Sequence, residues 1–306
     1  MVSNNNIQVY EVAIAGGSSA GLSAALTLGR TLRKTVVIDG GSPRNRFAAH
    51  AHNFFTRDNT PPSELLRIAR EQLQPYETVD LVEGYITAAS KTDGGFLLET
   101  RAGDKYFAKK IVLATGLKDD LDDIPGLEEL WGNRVIHCPY CHGWEVRRLP
   151  VCVIANGEAA EHYAVTLSNW HSDITFLTQG ESRISAEMTE KFVEKGYKLN
   201  TAPIKGLEKS GVGVRITLQN GDVLETGAVY YRPQKLLYHN SLAEQLGCEM
   251  SPEGVVTVSP MFETTVPGVF AAGDLTHAGL HQLYMSAMGG HLAGTNANRQ
   301  LTQEAW

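Results

Sequence analysis

Cysteine is scarce in this chain of 306 residues: there are four, and Cys152 and Cys248 stand alone in the sequence. That excludes the cysteine framework of a small secreted scaffold. No apolar run approaches the about 20 residues that cross a membrane. The opening Met-Val-Ser-Asn-Asn-Asn lacks the basic region and apolar core of a signal peptide, so a cytoplasmic location is expected. Basic runs are missing as well, and the formal net charge is −7, which argues against nucleic acid as a main partner. What remains is 42% hydrophobic and 20% charged, with 30 glycines, the composition of a globular protein long enough for two domains. The last residues, Gln300–Trp306, are mostly polar until the terminal aromatic and read as a frayed tail.

The other two cysteines carry the chemistry. Cys138-Pro139-Tyr140-Cys141-His142 places two thiols two residues apart at the start of a helix, where they can close a small disulfide and where the helix dipole favours a thiolate. The competing reading is half of a zinc site, which requires a second ligand pair. The sequence has no second Cys-x-x-Cys; His50 and His52 are the candidates for that pair. Redox chemistry is the expected use of the pair, and no metal site is expected.

Two strand–glycine–helix units frame this motif. Gln8–Ala15 is an apolar strand followed by Gly16-Gly17-Ser18-Ser19-Ala20-Gly21, a helical pattern from Leu22 to Leu32, and a second strand, Thr35–Ile38, ending in Asp39. This is the order of a dinucleotide-binding βαβ unit: glycine for the tight turn, a small residue where pyrophosphate approaches, glycine for helix packing, and an acid for the ribose. Ser18 replaces the middle glycine and can itself donate a hydrogen bond. A second unit runs from strand Val151–Ile154 through Ala155-Asn156-Gly157-Glu158-Ala159-Ala160 to a helix over Glu161–Trp170 and a strand over Asp173–Leu177. Here Ala155 stands at the first glycine, and the following Thr178-Gln179-Gly180-Glu181 offers only Arg183 as a nearby cation for a 2′-phosphate. NADPH is therefore not expected to bind. The expected fold is α/β, with two dinucleotide-binding, Rossmann-like domains.

Strand Lys110–Leu113 running into Ala114-Thr115-Gly116, and Gly268-Val269-Phe270-Ala271-Ala272-Gly273-Asp274 near the end, repeat one design of strand followed by small residues. His281-Gln282-Leu283 then opens a helix of small residues over Met285–Asn296, whose N-terminus suits an anionic ligand edge.

Gly-Gly-x-x-Ala-Gly, Ala-Thr-Gly, Cys-x-x-Cys and Ala-Ala-Gly-Asp follow one another in the order found in the low-molecular-weight thioredoxin reductase family, and the chain resembles that family over nearly its whole length. The resemblance implies FAD in a discontinuous domain, residues 1–117 plus 247–306. A second domain, 118–246, is inserted in the first and carries the redox cysteines; a homodimer is also implied. FAD would lie on Gly16, Ser18, Ser19, Ala20, Asp39, Gly40, Ile86, Thr115, Gly116, Asp274 and His281, with Gln282 and Leu283 facing the flavin through backbone N–H groups.

The run Cys138–Glu145, with His142 where NADPH-dependent members have an aspartate, is similar to gliotoxin-type dithiol oxidases and their bacterial relatives. Asp39–Asn45 followed by His50-Ala51-His52 is similar to the same branch, in which Arg44, Asn45 and His52 would border the flavin. The damaged second unit resembles cyanobacterial thioredoxin reductase-like flavoproteins that have lost the nucleotide site. It leaves room for a different second ligand.

By this likeness Cys141 faces the flavin, Cys138 exchanges with substrate, and His142 moves the proton. The physical need is a thiolate, since only the anion attacks a disulfide. His277 and His281 either cap a helix or take part in catalysis. Tyr230, Tyr231 and Tyr238 read as core, and Trp306 as an aromatic able to fold back, or cross a dimer, to stack on a flavin. The function expected is an FAD-dependent thiol–disulfide oxidoreductase working without NADPH. It either oxidises thiols with oxygen or reduces disulfides from a donor such as ferredoxin. Its partner is a small dithiol or disulfide, or a thioredoxin-like protein. An NAD(P)H-dependent thioredoxin reductase and a non-catalytic flavin-binding redox sensor are the alternatives.

Overall fold

The computed structural model describes residues 7–306. The chain divides into two compact units. One comprises the residues up to Arg44, Ser63–Lys118 and Leu237–Trp306; the other comprises Asn45–Pro62 and Asp119–Leu236.

The first unit opens with β1 (Gln8–Ala15), α1 (Ser19–Arg30) and β2 (Thr35–Asp39), close to the βαβ unit read from the sequence. Then come α2 (Pro62–Leu73), β3 (Val79–Glu83), β4 (Ile86–Thr92), β5 (Gly95–Thr100) and β6 (Lys105–Leu113). The sheet order is β3-β2-β1-β6-β5-β4. β1 runs parallel to both β2 and β6, and β5 is antiparallel to β4 and β6. Val12 and Ile14 of β1 join one core with Ala24, Leu28 and Ala297, while Ala13 and Ala15 join another with Ile38, Ile111 and Leu113. Burial on both faces explains why these strands read as continuous apolar runs.

β7 (Leu117–Asp120) leads out of this unit. In the second unit follow α3 (Leu127–Leu130), β8 (Val135–Ile136), α4 (Pro139–Val146), β9 (Val151–Ile154), α5 (Glu158–Leu167), β10 (Ile174–Leu177), α6 (Ala186–Lys195) and β11 (Lys198–Asn200). An antiparallel sheet of β12 (Ile204–Ser210), β13 (Gly213–Leu218) and β14 (Val223–Thr226) precedes β15 (Ala228–Tyr231). The parallel sheet has the order β11-β10-β9-β15-β8. Tyr230 and Tyr231 of β15 are fully buried, as their reading as core required.

The chain leaves through β16 (Lys235–Tyr238), which pairs with β7. It ends in α7 (Ser241–Leu246), β17 (Val269–Ala271), set beside the end of β6, and α8 (Leu283–Ala305). The expected α/β architecture with parallel sheets is found. The reading of Gln300–Trp306 as a frayed tail is corrected: α8 continues through Ala305. Leu301 is buried, Glu304 pairs with Lys110 on β6, and Arg33 donates to Thr302 Oγ1 at 2.7 Å and to Asn298 Oδ1 at 2.8 Å. Tertiary partners, invisible in a mostly polar heptapeptide, hold that last turn.

Candidate functional site

In the first unit the turn after β1 is built by absence of side chains. Gly16 has φ +104°, and a Cβ there would lie 2.3 Å from the Ala114 carbonyl oxygen. A Cβ on Gly17 would lie 2.8 Å from Asp39 Cβ. Its absence lets the Gly17 N–H donate to Asp39 Oδ1 at 3.0 Å, and Arg70 of α2 pairs with Asp39 Oδ2 at 2.7 Å. α1 starts at Ser19; the Ser18 side chain makes no capping bond, and the first turn holds no acid. Open N–H groups at an acid-free helix start, beside a carboxylate fixed at the end of the next strand, fit an anionic dinucleotide such as FAD.

Around the end of β6, His239 Nδ1 and the Thr115 carbonyl lie 2.9 Å apart, and Thr115 Oγ1 donates to the His239 carbonyl at 2.9 Å. Gly116 has φ +65°. Asp274, in the turn after β17, accepts from Arg44 at 3.3 Å and from Ser286 Oγ at 3.3 Å. His281 Nε2 lies 2.7 Å from the His277 carbonyl, and the Gln282 N–H donates to the Leu280 carbonyl at 3.2 Å, just before α8 begins. Gly40 follows β2, and Ile86 is buried on β4.

The second unit carries the cysteines. Cys138 is the residue before α4, Pro139 is its first residue, and Cys138 and Cys141 form a disulfide with Cα atoms 5.2 Å apart. Proline suits that position because its fixed φ matches the helix and it lacks an N–H that would have no partner there. The Cys141 and His142 N–H groups both donate to the Cys138 carbonyl at 3.2 Å. His142 follows this disulfide in sequence and is half-buried; its Nδ1 atom is buried and makes no hydrogen bond. Burial, with His52 in support, pushes the His142 imidazole below its ordinary value; the Glu145 carboxylate opposes them. His52 meets the His142 ring edge to face at 6.3 Å between centroids. Among the described residues no group of three or more His, Cys, Asp or Glu side chains is arranged to hold a metal.

The turn after β9 is shut by its own side chains. Asn156 Nδ2 donates to the Thr178 carbonyl at 3.3 Å and to the Glu181 carbonyl at 2.9 Å, while its Oδ1 accepts from the Gly157 and Arg183 N–H groups, each at 2.8 Å. The next helix, α5, opens with Glu158 and Glu161 in its first turn. Carboxylates at a helix start satisfy its dipole and repel a phosphate. The two nucleotide-type turns of this chain thus differ in charge as well as in sequence.

The structure therefore groups Gly16, Ser18, Ser19, Ala20 and Asp39 at one edge of the first sheet and pairs Arg44 with Asp274. It puts Asn45 and His52 in the other unit, with Cys138, Cys141 and His142. Trp306 is fully exposed at the far end of α8 from Leu283, about 34 Å away at 1.5 Å per residue. Sequence reasoning missed Arg70 on Asp39, Ser286 on Asp274 and the Asn156 clamp. It also missed Glu145, although the His142–Glu145 spacing of three places both on one helix face.

A family model described as pyridine nucleotide-disulphide oxidoreductase matches residues 10–294. The thioredoxin reductase tcpT of Claviceps purpurea is 35% identical over 306 residues, covering 96% of this chain and 94% of its own length. The crystal structure of an oxidoreductase from Agrobacterium tumefaciens superposes with a TM-score of 0.89 at 35% identity, covering 96% of this chain and 99% of that one. The crystal structure of HlmI does so with a TM-score of 0.90 at 29% identity, covering 100% of this chain and 95% of that one. The chain belongs to the pyridine nucleotide-disulphide oxidoreductase family: it is a thioredoxin reductase-like flavoprotein and a disulfide oxidoreductase.

Proposed function

From that membership we propose that the protein is an FAD-dependent thiol–disulfide oxidoreductase that takes electrons from thiols through Cys138 and Cys141 and not as hydride from NAD(P)H. One observation carries the second half of this reading. The turn where a nicotinamide dinucleotide would lay its pyrophosphate is tied by the Asn156 side chain to the loop over residues 178–183 and fronted by Glu158 and Glu161.

FAD, when bound, supplies a two-electron acceptor and donor. Gly16, Ser18, Ser19 and Ala20 would hold its diphosphate and Asp39 its ribose. Gly40, Arg44, Asn45, Ile86, Thr115, Gly116, Asp274, His281, Gln282 and Leu283 would line the remainder. Arg44 and Ser286 keep the Asp274 carboxylate oriented.

The chain's own chemistry starts with a substrate thiol. Its sulfur attacks Cys138 Sγ, the Cys138–Cys141 bond breaks, and Cys141 leaves as a thiolate with the bonding electron pair. The proton released by that thiol goes to His142, whose Nδ1 is unpartnered in the disulfide form. The second thiol of the substrate then displaces Cys138, giving a substrate disulfide and a reduced cysteine pair. The substrate is a small dithiol or a thioredoxin-like protein.

The test is Cys138→Ser and Cys141→Ser, each assayed without oxygen for flavin reduction by a dithiol. Both variants should keep the flavin and lose its reduction. Reduction at the wild-type rate in either variant would remove the pair from the electron path.

A further inference from the structure

His142 is held by side chains that neither the cysteine motif nor the cofactor motifs explain. On the segment 45–62, His52 Nε2 lies 3.7 Å from Glu145 Oε1, and His52 Nδ1 lies 3.8 Å from Asp58 Oδ1. Asp58 is itself fixed, accepting from the Asn53 N–H at 2.7 Å. His50 stands behind His52 at 6.4 Å between rings. On α4, Glu145 is one helical turn beyond His142 and one face with it. His142 is thus enclosed by His52, with His50 and Asp58 behind it, from one side, and by Glu145 and the cysteine pair of its own helix from the other.

We propose that His52 and Glu145 are positioning residues that act through His142. The His52 ring, held between Glu145 and Asp58 and set against the His142 edge, keeps the imidazole oriented with Nδ1 free for the proton exchanged with the cysteine pair. This rests on the cysteine-pair reading given above. The arrangement is an opposed pair of influences. The Glu145 carboxylate stabilises a protonated His142, and a His52 ring that carries a proton disfavours it. Removing one or the other should therefore move the protonation of His142 in opposite directions, which no loss of packing alone would do.

The substrate thiol loses its proton to His142, its sulfur bonds Cys138 Sγ, and the sulfur–sulfur bond electrons leave with Cys141. Reversal of the same step returns the proton.

The experiment uses the oxidised flavin-loaded protein, where Cys138 and Cys141 are joined and do not titrate. Histidine ring resonances are followed against pH by NMR, and the signal lost in His142→Gln identifies His142. Glu145→Gln should move its midpoint to lower pH, and His52→Gln should move it to higher pH. Each should slow dithiol-driven reduction about tenfold, a part of the 10²–10⁴ that positioned proton transfer contributes. Glu145→Asp, which keeps the charge, should recover most of the rate. An unmoved midpoint in both variants, or a shift of both in one direction, would overturn the proposal. If Glu145→Gln does not fold, the sign of the His52→Gln shift decides alone. Flavin bleaching by NADPH would sink the nicotinamide-free reading and leave this titration unchanged, so the two failures are told apart.

Discussion

Gly290 is where α8 packs directly on the backbone of α1 in the first unit. A Cβ built on it lies 1.9 Å from the Ala20 carbonyl oxygen and 2.7 Å from its carbon. A carbon–oxygen contact is comfortable at about 3.3 Å, so Gly290→Ala must push α1 and α8 apart by about 1.4 Å locally. Backbone cannot rotate away as a side chain can, which places the cost near the upper end of the usual overpacking range, about 3 kcal/mol. Alanine returns about 1 kcal/mol of helix propensity. The net loss is about 2 kcal/mol, or roughly 4–8 °C in the unfolding midpoint of a unit this size. Ala20 lies in the first turn of α1, which would hold the FAD diphosphate under the proposed function, so flavin retention should fall with it. Gly294→Ala is the control, because its Cβ would lie 3.0 Å from the Ala24 carbonyl and a few tenths of an ångström relieve it. Thermal unfolding and the ratio of flavin to protein absorbance measure both effects. Wild-type stability and full flavin in Gly290→Ala, or a larger loss in Gly294→Ala, would refute the packing argument.

Asn156→Ala removes three hydrogen bonds between the β9 turn and the loop over residues 178–183 and a fourth to the Gly157 N–H within the turn. Partly replaced by water, they should cost about 2 kcal/mol in urea unfolding, and NADPH binding by calorimetry should stay absent because Glu158 and Glu161 remain. His171 is buried, lies 3.1 Å from the Tyr230 hydroxyl, and is pushed by burial below its ordinary value of 6.5, against the opposing bond to the Leu149 carbonyl. The unfolded chain therefore binds its proton more readily, so the stability it contributes is complete above pH 6.5 and falls as pH drops through the folded value. Acid unfolding of His171→Gln should show a smaller loss between neutral and mildly acid pH than wild type; an equal loss would assign that proton elsewhere.

The parallel sheets were legible because their central strands are buried on both faces, so Val12–Ala15 and Val151–Ile154 read as unbroken apolar runs that end in small residues. The cysteine motif was legible because spacing of two on a helix start is local information. What escaped was set by distant partners. α8 extends to Ala305 because Lys110 and Arg33, far off in sequence, satisfy its last turn. The weakness of the second nucleotide turn was visible in Ala155, yet its closure depends on where Asn156 points, which no spacing rule gives. The approach of His52 to His142 joins residues ninety positions apart, which no local spacing gives.

Anaerobic mixing of the oxidised protein with excess NADPH, NADH or a dithiol, while the flavin absorbance is followed, tests the electron path itself. The dithiol should bleach the flavin within turnover times, and neither nucleotide should do so. Rapid bleaching by either nucleotide, or none by dithiols, would contradict the account.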